Sequence, residues 1–366
     1  MKMILSLLTI QMAFAQVNVQ TTVSTMYDDN VNNNAEQLKS SVTSFDLNGG
    51  YTFSGETSEF DLFYTGSYTY YASLLERTNQ FHSFNLEYST LFGSGDEHTF
   101  TVGGNAGTNM NRDSYTVFDH TVYTAFTNYK VMVNDWMITK GGYTVRNMSF
   151  ASLSDFSYTE HALFQHFAFA LSPTTTAILQ ADLGSKFYSS TPSASGSSMR
   201  KGMLSSLMPS VTQMTGIVKV GQRLTDQIGL SLTERYQWNI QKQTRYLSSE
   251  YGFISDDELF DDHYGYEGLH SNLTLTALVS ESVILKLSGG VQNKLYSTLA
   301  AYDMAGTYVA GQRIDTRSYV NVGLQKNFSD YGFSLKAAVD FIQNSSNDAY
   351  YSYKNNAVTL EFGLPF

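Results

Sequence analysis

The chain of 366 residues has no cysteine, only four prolines and two tryptophans. Without Cys there is no disulfide framework, no Cys metal site and no lipoprotein anchor. No apolar run reaches the roughly 18 residues that mark a membrane-crossing helix, and mean hydropathy is negative. A helical membrane protein is thereby excluded. Charged residues make up only 15%, with a formal net charge of −11. No basic stripe is present, so nucleic acid is not an expected partner. No linker, composition shift or sustained helical period divides the chain. No glycine-rich loop that would cradle a phosphate is found, because the pair Gly103-Gly104 falls within a strand pattern.

Aromatics and glycine are abundant instead, with 26 Tyr, 24 Phe and 27 Gly. Alternation is clearest at the end of the chain, where Val358, Leu360, Phe362, Leu364 and Phe366 are apolar at every second position. Period two is one face of a strand. The same phase continues backward through Phe333, Leu335, Ala337, Val339 and Phe341, and through Val320, Val322 and Leu324. It continues forward from Val17, Val19, Val23 and Tyr27, through Phe45, Leu47, Tyr51 and Phe53, to Phe84, Leu86, Tyr88 and Phe92. Segments of this length, apolar on one side and polar on the other, are the signature of a transmembrane β-barrel. Sixteen strands are expected, or fourteen if the mixed region 115–147 holds fewer. Short connections at 54–58, 93–98, 132–135, 172–176, 225–227, 279–282 and 329–332 alternate with mostly longer ones, among them 29–40, 189–208, 241–266, 297–312 and 344–353. The fold expected is therefore all-β, an antiparallel up-and-down barrel with both termini at the periplasmic side.

Strand ends agree. Phe53, Phe60, Phe92, Phe100, Phe328, Phe333 and Phe366 flank short turns or the terminus, and Tyr27, Tyr70 and Trp238 flank long loops, as two interfacial girdles would. Two outward positions break the apolar pattern. Lys326 is close enough to a turn to snorkel. Glu234 would face lipid, and a β-bulge that re-aims it is expected, with a subunit contact as the other reading.

Residues 1–15 read as a signal peptide. Lys2 is followed by a short apolar core and by Ala13-Phe14-Ala15, a cleavage pattern. Cleavage there leaves 16–366 as a single barrel domain. Strand 1 then begins almost at Gln16, so no plug domain of an active transporter is expected.

Function would rest on inward residues. Asp46, Asp61 and Glu87 form an expected acidic wall, and Arg235, Lys286, Lys294, Arg317 and Lys336 an expected basic wall, with Lys140 and Arg146 added if the seventh strand keeps phase. Facing walls would set a transverse field that orients dipolar solutes. The alternative is that lumen charges pair with neighbours and only fill space, as Asp340 among bases and Asp182 near Lys186 suggest. Sixteen strands leave an aqueous lumen unless a loop constricts it. Loop 241–266, with Tyr246, Tyr251, Phe253, Phe260, Tyr264 and Tyr266, is too apolar for free solvation and is expected to fold inward or form a lid.

Catalysis is not expected. Ser83 beside His82, and Ser271 beside His270, would point to opposite faces of a strand. Asp261, Asp262 and His263 are three residues of one loop, with Asp119-His120 elsewhere, whereas hydrolytic barrels take such groups from separate strands. The acidic run Asp256–His263 lacks the glycine and spacing of a calcium loop, so neither a metal nor a cofactor is expected.

The mature chain as a whole resembles a Gram-negative outer-membrane β-barrel of porin size, on the strength of Ala13-Phe14-Ala15, the girdles and Val358 to Phe366. That resemblance implies outer-membrane localisation, contact with lipid and lipopolysaccharide, and an assembly signal in Val358, Leu360, Phe362, Leu364 and Phe366 read by the barrel-assembly machinery. Met26-Tyr-Asp-Asp-Asn-Val31 is similar to the first strand of barrels serving exopolysaccharide or surface-protein export, although the periplasmic repeat domain that such proteins often carry is not expected in this sequence. Two functions follow: a passive channel for small polar solutes, or a non-enzymatic export barrel with a secretion partner. Homo-oligomerisation is open in both.

Overall fold

A computed structural model describes residues 15–189, 211–242 and 262–365. Sixteen antiparallel strands close into one barrel, each pairing with its sequence neighbours and β1 with β16. The strands are β1 (Ala15–Asp28), β2 (Ser40–Ser54), β3 (Ser58–Tyr71), β4 (Asn79–Phe92), β5 (His98–Asn111), β6 (His120–Asn134), β7 (Met137–Phe150) and β8 (Tyr158–Ser172). They continue as β9 (Thr175–Tyr188), β10 (Val211–Arg223), β11 (Ile228–Lys242), β12 (Tyr266–Ser280), β13 (Val283–Tyr302), β14 (Tyr308–Phe328), β15 (Phe333–Ser346) and β16 (Tyr353–Pro365). Closure leaves no unpaired sheet edge, the condition for strands to cross a membrane. The chain ends near Ala15 and Pro365 lie at the short-turn end. The expected signal peptide falls almost wholly on residues 1–14, and Phe366 of the expected assembly signal also lies outside the described residues.

The outer face carries the expected phase. Val17, Phe45, Leu62, Phe84, Val102, Leu163, Leu232, Leu287, Val320 and Leu360 are exposed to the barrel's surroundings, an apolar band that only a bilayer can solvate. At the short-turn end Phe328 stacks on Phe333 at 4.4 Å, Phe333 meets Phe362 at 5.4 Å, and Trp136 stacks on Phe169 at 5.9 Å. Lys326 remains on this rim, with its ammonium 4.7 Å from the Phe328 ring centre. Polar residues on the outer face are tied to neighbours: Tyr64 to His82 at 2.6 Å, Tyr143 to His161 at 2.5 Å, and Tyr129 to Gln165 at 2.6 Å.

Two expectations are corrected. No bulge re-aims Glu234, which pairs in register with Val218 and Ser271. The irregularity of β10 and β11 lies further along, at Thr212/Gln213, so Glu234 stays on the lipid face and accepts from Ser271 Oγ at 2.6 Å. Segment 297–312 is mostly strand. Tyr302 pairs with Tyr308, and β13 and β14 run on as a long hairpin. Residues 113–118 form a 3₁₀ turn before β6, which is why the strand pattern blurred there.

The interior at the long-loop end is packed. Val42, Tyr71, Phe118, Met148, Phe150 and Tyr158 form one buried cluster, joined by Met26, Val31, Leu74 and Tyr188. Inward residues of β1 to β3 and β7 to β9 thus meet side chains from the connecting loops, so these loops lean over the lumen. Segment 29–39 is sewn to the seam between β1 and β16. Asn30 Nδ2 donates to Asn34 O at 2.7 Å and to Lys354 O at 3.0 Å, and Asn355 Nδ2 donates to Asn30 O at 2.8 Å.

Candidate functional site

Alternate positions on each strand point inward. Asp46 on β2, Asp61 on β3 and Glu87 on β4 do so, and the structure brings Asp61 and Glu87 together but not Asp46, which pairs with Ser67 six residues along β3 from Asp61. Asp61 is the direct cross-strand neighbour of Glu87, a like-charge pairing that destabilises a sheet. Thr52 Oγ1 donates to Asp61 Oδ1 at 2.5 Å, and Ser89 Oγ lies 3.5 Å from Glu87 Oε1.

The expected basic residues all point inward but separate into two levels. Lys286 and Lys336 lie near the short turns, where Lys336 Nζ sits 3.2 Å from Glu361 Oε2. Lys130, Lys140 and Lys219 point into the same stretch of lumen and are exposed there. Lys130 and Lys219 were not anticipated as lumen residues. Lys130 lies on the strand whose start the 3₁₀ turn obscured, and Lys219 has only its alternation as a signal.

Deeper in, strand register sets Arg235, His270, Gln292 and Arg317 side by side across β11 to β14. Lys294 is the next inward residue beyond Gln292, with its ammonium 4.6 Å from the Tyr266 ring centre. His270 Nε2 is 2.9 Å from the Tyr319 hydroxyl, which also accepts from Asn272 Nδ2 at 2.7 Å. Among the described residues, the buried Nε atoms of Arg235 and Arg317 have no hydrogen-bond partner. In a closed ring of sixteen strands, β3 and β4 stand opposite β11 and β12. The acidic patch therefore looks across the lumen toward the side bearing Arg235 and His270.

The described base of loop 241–266 is inside the barrel. Gln237 Nε2 donates to His263 O at 3.0 Å and Asn239 Nδ2 to Tyr264 O at 2.8 Å. Lys186 Nζ meets Asp262 Oδ2 at 2.6 Å with both side chains wholly buried. The expectation that Asp182 pairs with Lys186 is corrected: Asp182 Oδ1 accepts from Gln180 Nε2 at 2.8 Å. Asp340 accepts from Asn321 at 2.7 Å. Tyr264 donates to Glu160 Oε1 at 2.5 Å, and Arg146 Nη2 holds Glu160 Oε2 at 2.7 Å. Burial, and then the Glu160 carboxylate, push the Tyr264 hydroxyl far above the ordinary tyrosine range, so it stays a donor. Tyr264 fits because Gly184 lies beneath it, where any Cβ would collide with its hydroxyl. Above this, Arg313 lies between Tyr296 and Tyr351, at 4.3 and 3.2 Å from their ring centres. The residues 243–261 that held most of the loop's aromatics, and Asp256 to Asp261, lie outside the described residues.

No protein-family model matches the chain, and no curated protein matches it in sequence. Solved structures do match in fold. OccAB1 from Acinetobacter baumannii superposes with a TM-score of 0.56 at 8% identity, covering 96% of each chain. CdiB from the same organism gives a TM-score of 0.56 at 12% identity over 95% of this chain, which spans only 60% of CdiB. A bacterial polysaccharide outer-membrane secretin gives a TM-score of 0.51 at 8% identity, covering 96% of this chain and 98% of that one. What is shared at these identities is the architecture, that of outer-membrane barrels of porin size.

Proposed function

We propose that this outer-membrane barrel is a passive, porin-like channel for small polar solutes, with the long-loop end facing outward from the cell. The observation that carries this reading is the lining of the short-turn half, where Lys130, Lys140, Lys219, Lys286 and Lys336 are exposed on the inner face of a closed wall. Long charged side chains remain exposed there only if water reaches them. Toward the long-loop end the lumen narrows to the packed layer around Asp262–Tyr266. That geometry suits selection by charge and size rather than free passage. The barrel acts by its walls, without catalysis.

Planar-bilayer recording tests this directly. Folded protein should insert with stepwise increments of ion conductance. Folded protein that never conducts would sink the reading.

A second reading has its own support. The buried cluster formed by β1 to β3, β7 to β9 and the loops leaning over it packs side chains over part of one mouth, which favours an export barrel opened by a secretion partner. Co-purification of a stoichiometric partner, with no conductance in its absence, would select that reading.

A further inference from the structure

We propose that the lumen holds a binding pocket for a small zwitterion of the α-amino-acid class, with Arg235 taking the carboxylate and Asp182 the ammonium. The proposal deepens the channel reading by naming a class of solute, and rests on it for its place in permeation.

The pocket is a cavity of about 210 Å³ between the inner wall of β7 to β11 and the docked base of the loop. Its lining includes Glu160, Asp182, Thr215, Arg235, His263 and Tyr264. The volume is below the range of drug-sized sites and suits a compact solute.

The charges of the lining divide into committed and uncommitted. Glu160 is held by Arg146 and by the Tyr264 hydroxyl. Asp182 has one oxygen engaged, by Gln180, and no cation among the described residues pairs with it. Arg235 has no hydrogen-bond partner among the described residues, and its Nε is buried. Two opposite charges thus line one cavity without meeting.

Register explains why. Asp182 pairs with Thr215, while Arg235 pairs with Ile217 one inward step away on the intervening β10. Two strand spacings and two residues of rise put their Cα atoms about 12 Å apart. The long arginine side chain spans part of that separation, and a compact solute carrying both an ammonium and a carboxylate is asked to bridge the rest. A buried guanidinium Nε without a partner is unfavourable, the Asp182 side chain is half-buried, and a ligand bearing both counter-charges would satisfy both at once. Tyr264 roofs the space, held by Glu160 and seated over Gly184.

The test uses full-length protein folded in detergent micelles, with L-alanine, acetate and methylamine as probes and saturation-transfer NMR as the readout. L-alanine should bind at least about tenfold more tightly than either single-charge probe, and Asp182→Asn and Arg235→Gln should each weaken it about tenfold or more, the loss of one charge-assisted hydrogen bond. Asp340→Asn removes a lumen carboxylate elsewhere and should leave alanine binding unchanged. Gly184→Ala keeps both charges but displaces the roof, and should also weaken binding. Equal binding of acetate and alanine, or undiminished binding in Asp182→Asn, overturns the proposal. The selectivity of the unaltered protein needs no variant, so misfolding of one cannot rescue the idea. If the protein conducts ions but does not select alanine, the pocket falls and the channel stands. If it selects alanine but never conducts, the pocket stands and the channel falls.

Discussion

Glu234 is a carboxylate midway along a membrane strand, on the face that meets lipid, with Ser271 Oγ as its hydrogen-bonding neighbour. Such a group is unfavourable at mid-depth, though less so than Lys or Arg. Glu234→Leu should therefore stabilise an isolated barrel by about 1–2 kcal/mol, read as a higher urea midpoint in lipid vesicles. Destabilisation instead would mean that the carboxylate meets a partner subunit. A second residue makes a pH prediction outside the membrane. Backbone donation from Thr307, and from Ala305, holds the Asp303 carboxyl below the usual carboxylate range. A depressed folded pKa contributes stability at pH values above the ordinary one and loses it as pH falls through the folded one. The 303–307 turn should thus loosen only in strong acid, seen as faster amide exchange at Thr307, and Asp303→Asn should weaken that acid dependence.

At the scale of elements, the barrel is closed by its least extended register. β1 meets β16 only from Gln20–Pro365 to Asp28–Ala357. The asparagines of segment 29–39 continue that seam as side-chain bonds. Asp29 Oδ2 accepts from Asn356 Nδ2 at 2.7 Å, and Asn30 bridges its own loop to Lys354. Asn30→Ala removes two donations from a buried side chain and leaves two carbonyls without that partner. It should lower barrel stability by about 1–3 kcal/mol, measured by vesicle unfolding and by the persistence of the folded band in unheated gel samples. A change within a few tenths would show that the clasp is idle. The strand ladder itself was legible because lipid imposes period two on every outward face. The outer face is nonetheless polar at His82, His161 and Gln165. Tyrosines one or two strands away meet those groups, a compensation that alternation cannot display. Segment 297–312 was read as loop because a hairpin rising above the bilayer has no reason to alternate in hydrophobicity.

For the whole molecule, the channel reading turns on how charge is distributed around the lumen. Asp61 and Glu87 are held side by side on β3 and β4, across the ring from β11 and β12. Removing both charges, as Asp61→Asn with Glu87→Gln, should shift the reversal potential in a salt gradient toward anion preference. It should also relieve a like-charge contact, so stability should hold or rise by up to about 1 kcal/mol. An unchanged reversal potential would make these carboxylates wall filling only.

The sequence by itself determined the wall of this protein: closed, all-β, with outward residues alternating and short turns opposing long loops. It could do so because the outward half of each strand answers to a uniform solvent, and each segment carries its own record of that solvent. The inward half answers to other side chains. Lys186 and Asp262 are 76 positions apart, Glu160 and Tyr264 are 104 apart, and the row from Arg235 to Arg317 exists only through register. Only the tertiary structure decided which lumen charges neutralise one another and which, like Asp182 and Arg235, stay uncommitted, because pairing inside a barrel depends on which strands closure brings together.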